Sequence, residues 1–222
     1  MIYKKIKNYI KYNFENPYTT VENKYKCIFI HVPKTAGTSI AESLFGNIDP
    51  KMGHKGHKRI KHYFVYNQKK FQNYFKFAFV RNPWDRLYSA YNYLEKKKGN
   101  KKDKKFSEKY LNYESFKDFV YSLQKESKKT KIILSFNHFL PQHYFLKLNN
   151  ELVIDKIGHF EKINKDFKEI KTRLDIKTKL KEKRKVKHKN YIEVYDNKMI
   201  RTVENIYKED IKLFGYNFNG LV

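Results

Sequence analysis

Two short apolar runs, each followed by a polar turn and an amphipathic stretch, dominate the hydrophobic pattern of this chain. The first run predicts a buried strand over Lys26–Val32, and the spacing of apolar residues after it predicts a helix over Thr38–Phe45. The aromatic-rich run Phe75–Val80 predicts a second strand, followed by a helix over Pro83–Leu94. Strands that alternate with helices indicate an α/β fold, in which a parallel sheet is flanked by helices and ligands bind at the carboxyl ends of the strands.

The rest of the chain continues this alternation. The further predicted elements are a helical region that ends at Tyr74, a helix over Glu114–Leu123, a third strand over Leu152–Ile157, a helix over Asn164–Leu174 and a final helix from Asp196 to Phe214. Gly215 suits the C-terminal cap of the final helix, because glycine adopts the left-handed conformation without a steric penalty. At 222 residues the chain is predicted to form a single domain over 1–222.

Two basic segments depart from the pattern of a packed core. Residues 1–25 are predicted to form a basic N-terminal segment, whose isoleucines have the spacing of a short amphipathic helix. Such a helix would dock on the domain, and contact with an anionic membrane surface is the alternative. Residues 95–110 contain a run of lysines and are predicted to form a flexible, exposed basic loop.

Composition narrows the class of protein. Aromatic residues make up 17% of the chain, which is enough for a core, and the single cysteine, Cys27, falls within the first predicted strand and excludes a disulfide framework. The net charge of +26 would attract an anionic cofactor, an acidic glycan, anionic lipid or nucleic acid. The lysine-rich composition typical of an AT-rich genome is an equally good explanation of that charge. No apolar run has the length of a membrane span or of a signal peptide, so we expect a soluble, cytoplasmic protein.

The turn after the first strand has the chemistry of an anion-binding loop. It contains Pro33-Lys-Thr-Ala-Gly-Thr-Ser39, and a helix that starts there presents unpaired backbone N–H groups and the positive end of its dipole. Lys34 adds a full charge, and Gly37 would let the backbone approach a ligand closely. The Gly-Lys-Ser/Thr ending of nucleotide-triphosphate loops is absent from the chain. An ordinary strand-to-helix turn is the alternative.

The turn after the second strand carries a different set of polar residues. Asn82 suits the N-cap of the following helix, and Pro83 suits its first position. Arg81 is thereby placed at the mouth between strand and helix, with Ser89 two helical turns further along, so that both side chains could bind a second phosphate. In the alternative interpretation Arg81 pairs with Asp85 and Ser89 is a small packing residue.

Together the two turns resemble the sulfotransferases that use PAPS (3′-phosphoadenosine 5′-phosphosulfate). The closest resemblance is to the branch that acts on carbohydrates, which includes heparan sulfate 2-O-sulfotransferase and bacterial relatives, and it extends from about Lys26 to Phe218. It implies a sulfotransferase fold with a P-loop-like strand–loop–helix. It also implies a metal-free transfer of the sulfuryl group to a carbohydrate hydroxyl, with PAP as the product. The implied cofactor-binding residues are Pro33, Lys34, Thr35, Ala36, Gly37, Thr38, Ser39, Arg81 and Ser89.

The resemblance also implies the catalytic residues. Lys34 would stabilise charge on the departing phosphate, and a histidine in a Gly-His pair would take the proton of the acceptor hydroxyl. His57 fits that pair best, with His54 as the alternate and His62 as a further histidine of the same segment. Solvated histidines on a basic helix are the alternative, and a metal site lacks the residues to complete it.

The resemblance leaves the acceptor open beyond a carbohydrate or glycan, acidic or not, and implies no specific nucleic acid. His138, Gln142 and His143 line the acceptor cleft or, as readily, belong to a structural loop. Animal relatives are Golgi proteins with an N-terminal anchor, so the Golgi lumen is the expected compartment only if an anchor has been removed. Two other functions are weighed against this one: a P-loop-type kinase, and a non-enzymatic basic protein that binds polyanions or nucleic acid.

Overall fold

A computed structural model describes residues 15–46, 57–97, 99–181 and 190–222, which form two compact units. The first unit contains the described residues up to Val32, those of Ala36–Phe79 and those from Tyr144 to 181. The second contains Pro33–Thr35, the described residues of Val80–His143 and those from 190 onwards. The single domain expected from the sequence stays a prediction.

The first unit is built around a three-stranded parallel sheet with the strand order β1-β2-β5. Strand β1 is Cys27–Ile30, β2 is Phe75–Val80 and β5 is Lys156–His159. Cys27 lies opposite Phe75 in the parallel register of β1 and β2, and all four residues of β1 are buried. The prediction of an α/β fold with a parallel sheet flanked by helices is confirmed.

The third strand starts later than predicted. The predicted range Leu152–Ile157 is divided between a short hairpin and the sheet, because Glu151–Leu152 (β4) pairs with Lys147–Leu148 (β3) in an antiparallel ladder. The two residues between them, Asn149 and Asn150, both have positive φ, 49° and 68°. Asparagine tolerates that conformation, which is typical of two-residue hairpin turns. The chain therefore joins the sheet only at Lys156.

Five helices of the first unit surround the sheet or lead into it. They are α1 (Thr20–Tyr25), α2 (Gly37–Phe45), α3 (Ile60–Tyr66), α4 (Gln68–Asn73) and α10 (Ile163–Arg173). Helix α1 lies inside residues 1–25, the predicted basic N-terminal segment. It begins with a capping box of Thr19 and Glu22. Helices α2 and α10 supply Ile40, Leu44, Phe167 and Ile170 to a core with Phe29, Phe77 and Phe79 of the sheet. The unit is held together mainly by this apolar burial.

The second unit is mostly helical. Its helices are α5 (Pro83–Glu95), α6 (Lys101–Tyr110), α7 (Phe116–Ser122), α8 (Lys128–Ser135) and α11 (Asn197–Phe214), with a short hairpin of β6 (Tyr216–Asn217) and β7 (Gly220–Leu221). A further one-turn helix, α9 (His143–Leu146), begins at His143, which is the last residue of the segment Val80–His143 of this unit. The core is rich in aromatic side chains from α5, α7 and α11, among them Trp84, Tyr91, Phe119 and Tyr207.

The prediction of a flexible, exposed loop over 95–110 is wrong, because Lys101–Tyr110 forms helix α6. A capping box starts this helix: Asn100 accepts hydrogen bonds from the N–H groups of Lys102 and Asp103, and Asp103 accepts one from the N–H of Asn100. Phe106 and Ser107 are buried, and the Ser107 hydroxyl donates to the carbonyl of Leu94 at 2.8 Å. The lysines of this helix face solvent. Because they are so many, the sequence pattern does not reveal the narrow face with Phe106 and Ser107 that packs.

Candidate active site

The anion-binding loop contributes to both units, because Pro33–Thr35 belong to the second and Ala36 onwards to the first. Its backbone is unusual: Lys34 and Ala36 have positive φ, 71° and 61°, although neither is glycine. Such conformations are costly for L-residues and concentrate at functional sites. The structure therefore maintains this loop in a shape that its residues would not adopt alone.

Helix α2 begins without a side-chain cap. Its N-cap, Ala36, has no side chain that could accept a hydrogen bond, and the first bond of the helix runs from the N–H of Ile40 to the carbonyl of Ala36 at 3.1 Å. The N–H groups of Gly37, Thr38 and Ser39 thus precede the helical ladder. Thr38, which is exposed, and Ser39, which is half-buried, add two hydroxyl groups to the same end of the helix. This end of α2 has the donors that an anionic group requires.

Gly37 is also constrained by a neighbouring side chain, and the close approach to a ligand expected there stays a prediction. A Cβ atom there would lie 2.7 Å from Cγ of the His31 ring and closer still to Cδ2 and Nε2. The ring of His31 also stacks on Phe29, with centroids 5.9 Å apart and planes 9° from parallel. Gly37 is therefore required to make room for His31, a residue that the sequence analysis did not single out.

His57 lies beside His31. Its Nδ1 is 2.9 Å from the backbone carbonyl of His31, and the two rings meet edge to face with centroids 4.5 Å apart. Because a carbonyl oxygen only accepts, Nδ1 of His57 is the atom that carries the proton in this contact, and Nε2 of the neutral ring keeps its lone pair. This is the tautomer that a general base acting through Nε2 needs.

The other two histidines of the segment stand differently. His54 lies outside the described residues. His62 is buried at the start of α3, where its Nδ1 accepts from the N–H of Arg59 at 3.1 Å. Desolvation lowers the pKa of His62 to about 4. His62 is therefore a neutral residue at the start of α3, with Nδ1 also 3.0 Å from the carbonyl of Arg59, and the role of His57 as the base stays a prediction.

In the second unit, Arg81 connects its own turn to the anion-binding loop. Its Nη1 donates to the carbonyl of Lys34 at 3.1 Å. Its Nε and Nη2 both contact Oδ2 of Asp85 at 2.7 Å, so the pairing considered as an alternative is present. Asp85 fixes the plane of the guanidinium group, and the carbonyl of Lys34 fixes its edge. Arg81 is positioned by both contacts.

A stripe of helix α5 continues from this pair. Arg81, Asp85, Ser89 and Tyr93 follow each other at intervals of four, which places them on one face of the helix. Lys34 contacts the stripe at two points: its carbonyl accepts from Arg81, and its Nζ lies 4.0 Å from the centroid of the Tyr93 ring. Ser89, half-buried, stands between those two points on the helix. The structure thus brings Lys34 and Arg81 into contact, and Ser89 lies between Asp85 and Tyr93 along helix α5, where its part in binding stays a prediction.

The backbone of Arg81 is held by Gln142. The Gln142 amide accepts from the N–H of Arg81 at 3.0 Å and donates to its carbonyl at 2.9 Å. Asp210, fully buried, in turn accepts from the backbone N–H groups of Gln142 and His143, at 2.6 and 2.9 Å, and contacts Nδ1 of His143 at 2.7 Å. Gln142 and His143 are both buried and bonded inside the unit, which favours the structural role over the acceptor cleft. Gln142 is a support of Arg81 that no local pattern could reveal.

Arg86 secures the other side of the loop. Its side chain is buried and donates to the carbonyls of Pro33, His138 and Leu140 at 3.5, 3.3 and 2.5 Å. Burial lowers the pKa of Arg86, because desolvation disfavours the charged form. Its charge is compensated by these carbonyls and by the ring of Tyr207, whose centroid lies 5.7 Å away.

The described residues contain neither a metal-binding cluster nor a membrane-spanning helix. Within the described ranges, no group of three or more His, Cys, Asp or Glu side chains is arranged to hold a metal ion. None of the helices in the described part of the chain is long and apolar enough to cross a membrane.

A comparison with known proteins identifies the family of this chain. A model of the sulfotransferase family matches residues 17–217, almost the whole chain. The chain belongs to the sulfotransferase family. It is therefore a transferase of sulfuryl groups, and its parallel sheet with flanking helices is the sulfotransferase fold. No curated protein and no solved structure matches the chain.

Proposed function

We propose that this sulfotransferase uses PAPS as its donor and transfers the sulfuryl group to a carbohydrate hydroxyl, as do the heparan sulfate 2-O-sulfotransferases and bacterial relatives that it resembles. The observation that carries the proposal is the hydrogen bond from Arg81 to the carbonyl of Lys34. It joins Lys34 of the first predicted phosphate-binding motif to Arg81 of the second inside one unit, and a donor with phosphates at two ends requires both motifs.

The donor set fits PAPS. When bound, PAPS supplies an activated sulfuryl group and leaves as PAP. The backbone N–H groups at the start of α2 and the hydroxyls of Thr35, Thr38 and Ser39 hold the 5′-phosphosulfate, and Lys34 neutralises charge that develops on the leaving phosphate oxygen. Positive charge from lysine and helix dipole does the electrostatic work that metal ions do in many phosphoryl transferases.

Arg81 and Ser89 hold the 3′-phosphate and thereby select PAPS over ATP, which lacks that group. The fixed plane of the guanidinium group suits a phosphate, since arginine binds phosphate through two parallel N–H donors. Gln142 keeps the backbone of Arg81 in place from behind. Ser89 adds a hydroxyl from the same helical stripe.

His57 takes the proton from the acceptor hydroxyl. Its Nδ1–H is committed to the carbonyl of His31, so Nε2 is the basic atom, and the carbonyl also fixes the direction of the ring. A protonated base adds positive charge at the moment when the acceptor oxygen becomes nucleophilic. The net charge of +26 favours an acidic glycan as the acceptor, with contact to an anionic membrane surface as a secondary partner.

Calorimetric titration of the full chain with PAP, ATP and AMP tests the proposal. We expect PAP to bind more tightly than either of the other nucleotides, and Arg81→Ala to weaken PAP binding by roughly 10- to 100-fold, because charge-assisted hydrogen bonds are lost. Arg201→Ala, which removes an exposed arginine of α11, is the matched control and should leave PAP binding unchanged.

The competing functions give different results. Preference for ATP would indicate a kinase. Equal binding of all three nucleotides that weakens steeply with salt would indicate a charge-driven polyanion binder. Either result would overturn the use of PAPS.

A further inference from the structure

The ammonium group of Lys34 has a defined resting place. Its Nζ lies 4.0 Å from the centroid of the Tyr93 ring, well inside the range of a cation–π contact. Lysine ordinarily has a flexible stem with several rotatable bonds, so a charged end held in one place is a restriction that the protein imposes. The backbone end of the same residue is held by Arg81. Lys34 is therefore held at its carbonyl by Arg81 and at its ammonium group by Tyr93 of helix α5.

Tyr93 is itself held on its far side. Its ring lies 5.3 Å from the ring of His138, and Nε2 of His138 is 3.4 Å from Oδ1 of Asp103. Asp103 and His138 are both buried. Their positions depend on helix α6, where Asp103 belongs to the capping box that starts the helix.

The hydroxyl of Tyr93 lies in the same corner. A Cβ atom on Gly99 would lie 2.8 Å from that hydroxyl and 2.5 Å from Oδ2 of Asp103, so the hydroxyl and the carboxylate approach the same glycine. Burial and the negative charge of Asp103 raise the pKa of Tyr93, which keeps its ring neutral and its face available to a cation.

We propose that Tyr93 is the positioning residue of Lys34: its ring face holds the ammonium group in the direction needed for sulfuryl transfer. This inference rests on the proposed function, in which Lys34 acts on the leaving phosphate. It assigns a purpose to helix α6 and its lysine-rich segment, because Asp103 and His138 of this cluster keep the Tyr93 ring in place. Tyr93 acts through Lys34 and does not itself take part in the chemistry.

The contact can be tested without turnover. We expect an acylating reagent to modify Lys34 slowly in the cofactor-free protein, because the contact with the ring holds its ammonium group in place. Phenylalanine with increasing numbers of ring fluorines, placed at position 93, keeps the shape of the ring but weakens its negative face. The rate of Lys34 modification, measured by mass spectrometry, should rise stepwise with each fluorine, by about 3- to 10-fold over the series.

Lys69, an exposed lysine of α4, is the internal control and should react equally in all variants. Tyr93→Phe should behave like the wild type, since it keeps the ring and loses only the hydroxyl. A rate at Lys34 that stays constant across the fluorinated series would overturn the proposal, whatever the fate of PAPS binding.

Turnover gives the second readout. Release of PAP from PAPS should fall by roughly 10-fold in kcat for Tyr93→Leu, with KM for PAPS within about threefold of wild type, and Tyr93→Phe should restore kcat. Equal kcat in Tyr93→Leu and wild type would contradict the positioning role. A wild-type protein that fails to bind PAP at all would instead refute the proposed function, while the labelling experiment would still decide the role of Tyr93.

Discussion

The turns that follow the neighbouring strands β1 and β2 differ in how they begin the next helix, because one helix has a side-chain cap and the other has none. Helix α2 begins at a left-handed alanine with no side-chain cap, so no side chain at its N-cap accepts from the N–H groups of its first turn. Helix α5 begins with Asn82, whose side chain accepts from the N–H of Trp84 at 3.1 Å, and with Pro83, which has no N–H. We call the turn before α2 the open turn, because its N-cap, Ala36, accepts no side-chain hydrogen bond, and the turn before α5 the closed turn, because Asn82 caps it.

The difference suggests two ways of binding the anionic groups of the proposed donor. The open turn offers backbone N–H groups together with Lys34, whereas the closed turn offers the guanidinium group of Arg81, oriented by Asp85 and Gln142. Backbone donors can serve a ligand only where a cap does not consume them, and a side-chain donor benefits from a rigid, capped helix behind it.

The largest effect is expected at the charge of the open turn. Lys34→Met keeps an unbranched side chain but removes the ammonium group, so we expect PAPS turnover to fall by about 100- to 1,000-fold, as when one preorganised charge-stabilising group is lost. PAP binding should weaken far less, since PAP has no sulfuryl group. Lys69→Met serves as the matched control in the same assay of PAP release, and turnover of Lys34→Met within a few-fold of wild type would refute the role of Lys34.

Gly37→Ala should destabilise the open turn, because the new methyl group would overlap the ring of His31. Overpacking of this kind typically lowers the free energy of unfolding by about 1–3 kcal/mol. Urea unfolding of the two single variants and of Gly37→Ala combined with His31→Ala measures the coupling between the two positions. If the double variant is no more stable than additivity of the single changes predicts, the overlap is not the reason for glycine at position 37.

At the closed turn, Asn82→Ala should lower the free energy of unfolding by about 1–2 kcal/mol through loss of the N-cap. Asn82 also donates to the carbonyl of Asn217 at 2.8 Å. Asn82→Asp keeps the acceptor for the N–H of Trp84 and loses that donor, so it should fall between wild type and the alanine variant in urea unfolding. Equal losses in the two variants would mean that the cap itself contributes little.

The smallest expected effect concerns Asp196, the N-cap residue of helix α11, whose carboxylate titrates. Burial acts in the opposite direction, but hydrogen bonds from the N–H of Met199 and from Lys117 and Tyr121 lower the pKa of Asp196 to about 2. Because this pKa lies below the ordinary value of 3.8, the stabilisation is complete above pH 3.8 and is lost as the pH falls towards 2.

Asp196→Asn keeps a capping side chain without the titration. Urea unfolding between pH 5 and pH 2 should therefore show a shallower loss of stability in this variant, by less than about 1 kcal/mol. Glu108→Gln, at an exposed position of α6, controls for the removal of a negative charge. Identical pH dependence in wild type and Asp196→Asn would exclude the cap as a source of acid sensitivity.

Local patterns predicted the elements closest to the chemistry well. The strand Phe75–Val80 has the predicted bounds, the following helix runs one residue beyond the predicted Leu94, and Asn82 caps it as expected. These features depend on neighbours a few residues away, such as an aromatic run, a cap and a proline. Prediction was poorer at Leu152, where a turn at Asn149 and Asn150 forms a local hairpin in place of the predicted strand. It was poorer also at Phe106, which packs on the remote ring of Phe136 within a lysine-rich segment that forms a helix.

By itself, the sequence predicted the two turns as phosphate-binding, their order and the roles of Lys34, Arg81 and Ser89, because residue type and spacing carry that information. Only the tertiary structure decided why Gly37 is a glycine, how Gln142 holds the backbone of Arg81, and where the ammonium group of Lys34 rests on Tyr93. These contacts join residues up to 61 positions apart. Their geometry follows from packing of the whole unit, which no pattern of nearby residues encodes.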